Sequence, residues 1–421
     1  MKNHILLLLY IVLLFFLHFG FQINGINTRY LATILLLISC ICVSSALIRL
    51  PMLKNSVFQK LLNSTIIYNI IVWLIPICLM TMDFSMLSGT IRFFICMVDI
   101  FLLWALLPRQ YREYQLEFIV YIYLIQSVVI LAAFVSPSLL EIVRQFQFES
   151  VTEITDRYLN YGTFRGLALA GDQFYGLTTS FGLISIFVMK FYVESSNIKW
   201  IGVFFVFFAA NMFVGRTGFI GFFAALGYLF LSSKKNKFKS LFKIFVFTIL
   251  LISILYLALP SSLKEVIDES VFAYAFQIFY NYKDSGSFST SSSDRVAEMW
   301  QISIGFFTYL LGDGRFSNPD GTYYGKIDVG YLRQILYGGI AFLIYSVVLT
   351  WRMLTNYSKR YKIRQHLFEY IVLAYLLVIH AKGLSFMYCP EHMMIILFYY
   401  LHLNREKLAV FQEGKLFLFD N

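Results

Sequence analysis

Five arginines in this chain stand where a positive charge can be aimed at an anion. Arg165 follows Tyr161-Gly162-Thr163-Phe164 and lies eleven positions before Gly176. Arg216 sits within Val214-Gly215-Arg216-Thr217-Gly218. Arg295 follows Ser291-Ser292-Ser293-Asp294, Arg315 follows Gly312-Asp313-Gly314, and Arg333 comes just over one helical turn after Asp328. A guanidinium is a planar fork of N–H donors that matches a phosphate, and several guanidiniums can share one pyrophosphate leaving group. Taken singly, each arginine reads equally well as a side chain reaching from a span end to water. As a set on one side of the membrane, beside glycine-rich turns, they read as an anion site.

The groups able to accept a proton or a substrate hydrogen bond are Asp172, Asp313, Asp328, Tyr324 and the pair Glu391-His392. Asp328 stands at the mouth of an apolar run, where partial burial raises a carboxyl pKa towards the range of a working base. Aspartate also favours helix N-caps, and Asp328 reads equally as one. Catalysis is expected of Arg165, Arg216, Arg295 and Asp328, and substrate binding of Arg315, Asp172, Tyr324 and Arg333. For Glu391, His392, His380 and Lys382, packing and interfacial roles are the better reading. Asp99 lies deep in an apolar run, seven residues after Arg92. An ionisable group at that depth is either functional or a hydrogen-bonded carboxyl that sets packing. No His, Cys and carboxylate set has metal-ligand spacing, and no nucleotide or nucleophile-elbow motif occurs, so neither metal nor cofactor is expected.

The elements that must position these groups are membrane helices. The chain is 59% hydrophobic and 14% charged, which leaves too little polar surface to cover a soluble domain of this size. Apolar runs long enough to cross a bilayer recur from end to end. They predict an all-α polytopic protein with twelve spans, near residues 4–21, 30–48, 61–82, 89–107, 118–135, 174–193, 198–214, 217–232, 241–259, 329–350, 367–381 and 385–403. The first run lacks a small-residue cleavage site and reads as a span rather than a signal peptide. Pro76 is expected to kink the third. The five cysteines, Cys40, Cys42, Cys78, Cys96 and Cys389, fall in or beside apolar runs and read as packing residues.

Lysine and arginine are retained in short cytoplasmic segments. With the N-terminus inside, they collect on that side, notably at Lys234–Lys243 and from Arg352 to Arg364. Both termini are then inside. The Lys234–Lys243 cluster reads as a topology anchor drawn to anionic lipid, without the aromatic partners a nucleic-acid site needs. The two long connections, about 136–173 and 260–328, fall outside and carry most of the acids. Residues 284–293 read as flexible. From Asp294 to Leu311, apolar residues recur at helical spacing. That spacing predicts one amphipathic helix on the outer membrane face, capped by Ser293 or Asp294 and ended by Gly312.

Across about residues 160–345 the chain resembles the bacterial O-antigen and capsular polysaccharide polymerases, relatives of the O-antigen ligases. The resemblance rests on Arg165 with Gly176, Gly215-Arg216-Thr217-Gly218, Ser293-Asp294-Arg295 with Trp300, Leu311-Gly312-Asp313-Gly314, and Asp328-Val329-Gly330-Tyr331 leading to Gly338-Gly339. It implies a glycosyltransferase with a GT-C-like fold in the bacterial cytoplasmic membrane. The substrate implied is a polyprenyl-pyrophosphate-linked oligosaccharide, and the partners are a flippase and a chain-length regulator. The ligases carry a histidine near the place of Asp328. This chain has none there, which favours polymerase over ligase. A lipid-linked oligosaccharide flippase is the rival from another class, but such transporters usually show an internal repeat and mid-membrane polar groups.

Overall fold

The computed structural model describes residues 2–42, 56–160, 165–232, 246, 250, 253, 256–257, 261–286, 290–356 and 366–405. It is 78% helix and 2% strand, as an all-α membrane chain requires. The first helices are α1 (Lys2–Phe19), α2 (Thr28–Cys42), α3 (Ser56–Cys78), α4 (Leu87–Leu106) and α5 (Gln115–Val135). A two-residue hairpin joins α1 to α2, pairing Gln22 with Asn27 and Ile23 with Ile26. The chain continues with α6 (Pro137–Gln145), α7 (Glu149–Asn160), α8 (Tyr175–Ser195), α9 (Lys199–Met212) and α10 (Phe219–Ser232). Then come α11 (Ser261–Val266), α12 (Gln277–Ser285), α13 (Ser291–Trp300), α14 (Phe306–Leu311), α15 (Gly330–Leu354), α16 (Leu367–His380) and α17 (Pro390–Leu403).

Among the described residues five helices are long and apolar enough to cross a membrane: Phe58–Cys78, Leu87–Leu106, Gln110–Val135, Tyr175–Ser195 and Gly330–Leu354. Shorter apolar helices complete the bundle. This is a polytopic helical membrane protein. The expected ninth span, 241–259, and the Lys234–Lys243 cluster lie largely outside the described residues. Helices α8 and α17 run through the centre. Every residue of α17 from Glu391 to Leu401 is buried, and α8 is buried from Gly176 to Met189.

Three local expectations are corrected. The connection 136–173 contains α6 and α7. Pro137 at the first helical position and Ser136, whose side chain accepts from Leu139 N–H, start α6. The single helix expected over 294–311 is two, because the chain leaves the helix at Gln301 and restarts at Phe306 after Gly305. The cap of α13 is neither Ser293 nor Asp294. Thr290 accepts from Ser293 N–H, while the Ser293 hydroxyl accepts from Thr290 N–H, a reciprocal box that satisfies two end donors. Gly312 does end α14, at φ +79°.

Helix α15 is broken at Gly338 and Gly339, the latter at φ +72°. The break frees carbonyls that a membrane interior cannot hydrate. Asp313 N–H donates to Leu336 O (2.6 Å), and Gly314 N–H donates to Tyr337 O (3.1 Å). A side chain at Gly339 would collide with the Leu310 carbonyl, and one at Gly312 with that of Tyr337. The strap 312–317 is tied on its other side to the turn after α3. There the Thr81 hydroxyl donates to Gly314 O (2.6 Å), and Asp83 Oδ2 accepts from Phe316 N–H (2.6 Å) and Ser317 N–H (2.9 Å).

Candidate functional site

At one end of the bundle a cavity of about 750 Å³ is walled by Arg165, Arg216, Arg295, Lys326 and Lys382, with Asp328 as its one carboxylate among the described residues. Three of these cations are gathered at a single turn. Arg165 Nε donates to Val214 O (3.1 Å). Arg216 hydrogen-bonds Gln277, and Lys382 Nζ donates to the Thr217 hydroxyl (3.0 Å). The Tyr274 ring lies under both guanidiniums, its centroid 5.4 Å from Arg165 and 4.4 Å from Arg216. Cation–π contact lets a ring hold like charges close without neutralising them. Burial, together with Arg216 and Arg165, pushes the Lys382 ammonium below its usual range. An arrangement of this kind is completed by a polyanion.

The turn itself is built by α8. The Thr178 hydroxyl donates to Gly215 O (2.7 Å) and accepts from Gly218 N–H (3.0 Å), while Asn211 Nδ2 donates to Gly215 O (3.0 Å). Arg295 opens the second turn of α13, one turn after the Thr290 cap that fixes the start of the helix. Asp328 is not the cap of α15; that place belongs to Val329. Asp328 N–H instead meets Met299 Sδ (3.3 Å), and its carboxylate faces the cavity. Withdrawal from bulk water raises its pKa, and Arg333, Arg295 and Lys382 pull it partly back.

A second cavity, about 470 Å³, adjoins the first across Phe174, Tyr175, Tyr323 and Asp328. Two of the expected binding residues belong here. Arg333 is sandwiched between the rings of Tyr323 (3.7 Å) and Phe316 (4.0 Å). Asp172 lies close to Glu391, and burial with that neighbouring carboxylate pushes Asp172 up to about 6. Gly176 makes the placement possible, since a Cβ there would strike Asp172 Oδ2. Glu391 pairs with Arg29, which also donates to Leu17 O (3.0 Å) and His18 O (2.9 Å) at the end of α1.

The structure therefore unites Arg165, Arg216, Arg295 and Asp328 at one cavity and sets Asp172 and Arg333 at its neighbour. Arg315 and Tyr324 lie apart from these: neither lines either cavity. Arg315 is exposed beside the Tyr324 ring, and Tyr324 donates to Asp313 (3.3 Å). Asp313 also accepts from the Thr308 hydroxyl (2.7 Å), so these residues hold the strap. Asp99 accepts from Thr33 (2.8 Å) inside the bundle and lines a separate cavity of about 200 Å³ with Arg29 and Arg92. His392 bonds Thr179 (2.7 Å). His380 bonds Ser385 (3.1 Å) and packs under Tyr331, so it does not supply a base to the cavity.

Lys382 and Glu391, given packing and interfacial roles from the sequence, line the cavities together with Lys326, Gln277, Tyr274 and Arg29, which the sequence does not single out. For Lys382 and Glu391 a signal existed: charges clustered in a short connection beside a proline. For Tyr274 and Gln277 there was none, because their roles arise only where the late connection folds back on the 214–218 turn. No family model, curated protein or solved structure matches this chain.

Proposed function

We propose that this protein is a membrane glycosyltransferase that polymerises polyprenyl-pyrophosphate-linked oligosaccharide repeat units into a surface polysaccharide. In this reading it has twelve spans, a GT-C-like organisation and both termini inside, and it works at the outer face of a bacterial cytoplasmic membrane. The observation that carries the reading is the gathering of Arg165, Arg216, Arg295, Lys326 and Lys382 around one cavity that, among the described residues, holds a single carboxylate, Asp328.

The cations hold the pyrophosphate of the donor. An acceptor hydroxyl attacks the anomeric carbon. The new carbon–oxygen bond forms as the bond to pyrophosphate breaks, and its electron pair leaves on the polyprenyl pyrophosphate. Asp328 takes the hydroxyl proton. Pyrophosphate is a good leaving group, so fixed positive charge and positioning supply most of the rate. Loss of one fixed charge at such a site costs about 10²–10³ in rate.

The test is replacement of Arg216 or Arg295 by alanine, followed by surface-polymer ladders and protein level in membranes. Single repeat units at normal protein level support the reading; full ladders at normal level refute it. Accumulation of finished lipid-linked polymer points instead to a ligase, and repeat units trapped inside point to a flippase.

A further inference from the structure

The two adjoining cavities differ in chemistry. The first sets five cations against Asp328, whereas the second balances Arg29, Arg92 and Arg333 against the carboxylates Asp172, Glu391 and Asp328. A pyrophosphate suits the strongly positive first cavity, and a neutral polar group suits the balanced second. Glu391 is already matched by Arg29, while Asp172 Oδ1 accepts from Phe174 N–H (3.4 Å), and a carboxylate has further lone pairs to offer. The second cavity also holds a buried donor in need of a partner. Arg333 is 5% exposed, and its Nε and Nη2 find no hydrogen-bond partner among the described residues. Buried polar atoms in that state are completed by something else. Those two nitrogens form one edge of the guanidinium, the edge that grips a pair of oxygens. The rings of Tyr388 and Phe148 supply apolar surface in the same cavity. Carboxylate, guanidinium edge and aromatic faces together match a sugar, which has hydroxyl edges and apolar faces. The volume lies within the usual range for small-molecule sites.

Building on the transferase reading, we propose that the second cavity seats the terminal sugar of the acceptor glycan. Asp172 accepts hydrogen bonds from its hydroxyls, Arg92 and Arg333 donate to its oxygens, and the attacking hydroxyl reaches Asp328 on the shared wall. The donor's anomeric carbon then lies between that hydroxyl and the pyrophosphate in the first cavity. Attack from one cavity with departure into the other inverts the anomeric centre. Asp328 belongs to both walls, so it meets the acceptor proton without blocking the leaving group.

The experiment uses purified full-length protein and two probes: inorganic pyrophosphate, and the free repeat-unit oligosaccharide released from its lipid by mild acid. Asp172→Asn and, separately, Arg92→Ala are expected to weaken oligosaccharide binding about tenfold, the loss of one charged hydrogen bond. Both are expected to leave pyrophosphate affinity unchanged, and Arg216→Ala is expected to do the reverse. Unchanged pyrophosphate affinity also reports that a variant is folded. Arg92 is exposed, so its replacement keeps the test open if Asp172→Asn fails to fold. Normal oligosaccharide binding in the folded variants, or equal loss of both probes, overturns the acceptor site. If Arg216→Ala leaves pyrophosphate binding intact, the pyrophosphate reading itself fails, a result separable from the first.

Discussion

In the proposed reaction Asp328 meets two demands on a base: a place on the cavity wall and a pKa above the ordinary range. A base works ionised, so activity should rise with pH through a limb lying above the usual carboxylate range. Asp328→Asn should lower kcat by about 10²–10⁴ and abolish that limb, as measured in a pH–rate profile. Asp172 yields a stability test. Its pKa is raised from 3.8 to about 6, so the folded state holds that proton more tightly than the unfolded chain. The associated stability is present below pH 3.8 and lost as pH rises through about 6. Asp172→Asn should therefore raise the unfolding temperature at pH 8 and leave it unchanged near pH 3.5, while weakening substrate binding. A fall at pH 8 would mean that the carboxylate is held as a stabilising anion.

Among the elements, the strap 312–317 and the break in α15 depend on each other. The break leaves carbonyls open and the strap closes them, with two glycines allowing the approach. Gly339→Ala places a methyl against the Leu310 carbonyl on a left-handed backbone. It should cost about 1–3 kcal/mol, read as a lower melting temperature in detergent, and displace Tyr323 and Asp328 further along the same connection. Thr290→Ala should act more mildly, at about 1 kcal/mol, by loosening the first turn of α13, on which Arg295 directly follows. A lower affinity for pyrophosphate with little change in melting temperature would mark that as a positioning effect.

For the whole molecule, helices supply the walls and the connections at one end supply the chemistry. A cluster of cations should bind pyrophosphate with marked salt dependence. Affinity should fall as ionic strength rises, and Arg216→Ala should flatten that dependence. The proposed sidedness rests on the distribution of lysine and arginine along the chain. A cysteine placed at Thr322 should react with an impermeant thiol reagent applied outside intact cells, and one placed at Lys407 only after permeabilisation. Equal labelling of both would overturn the orientation.

Hydropathy and residue type determined a good deal without coordinates: the helical membrane class, the approximate helix bounds, and the singling out of Arg165, Arg216, Arg295 and Asp328, which the fold brings to one cavity. Those features are local, since a bilayer forces backbone groups to pair within their own helix, and an anion site asks for arginine wherever the fold puts it. Two helices over 291–311 instead of one, and the cap at Thr290, turn on hydrogen bonds that apolar spacing does not encode. Only the tertiary structure decided which charges meet. Arg29 and Glu391 pair across 362 positions, and Tyr274 comes to lie under Arg165 and Arg216. Arg315 and Tyr324, close in sequence to the others, serve the strap instead. Such pairings depend on how long connections return over the end of the bundle, and no short-range pattern in a chain records that return.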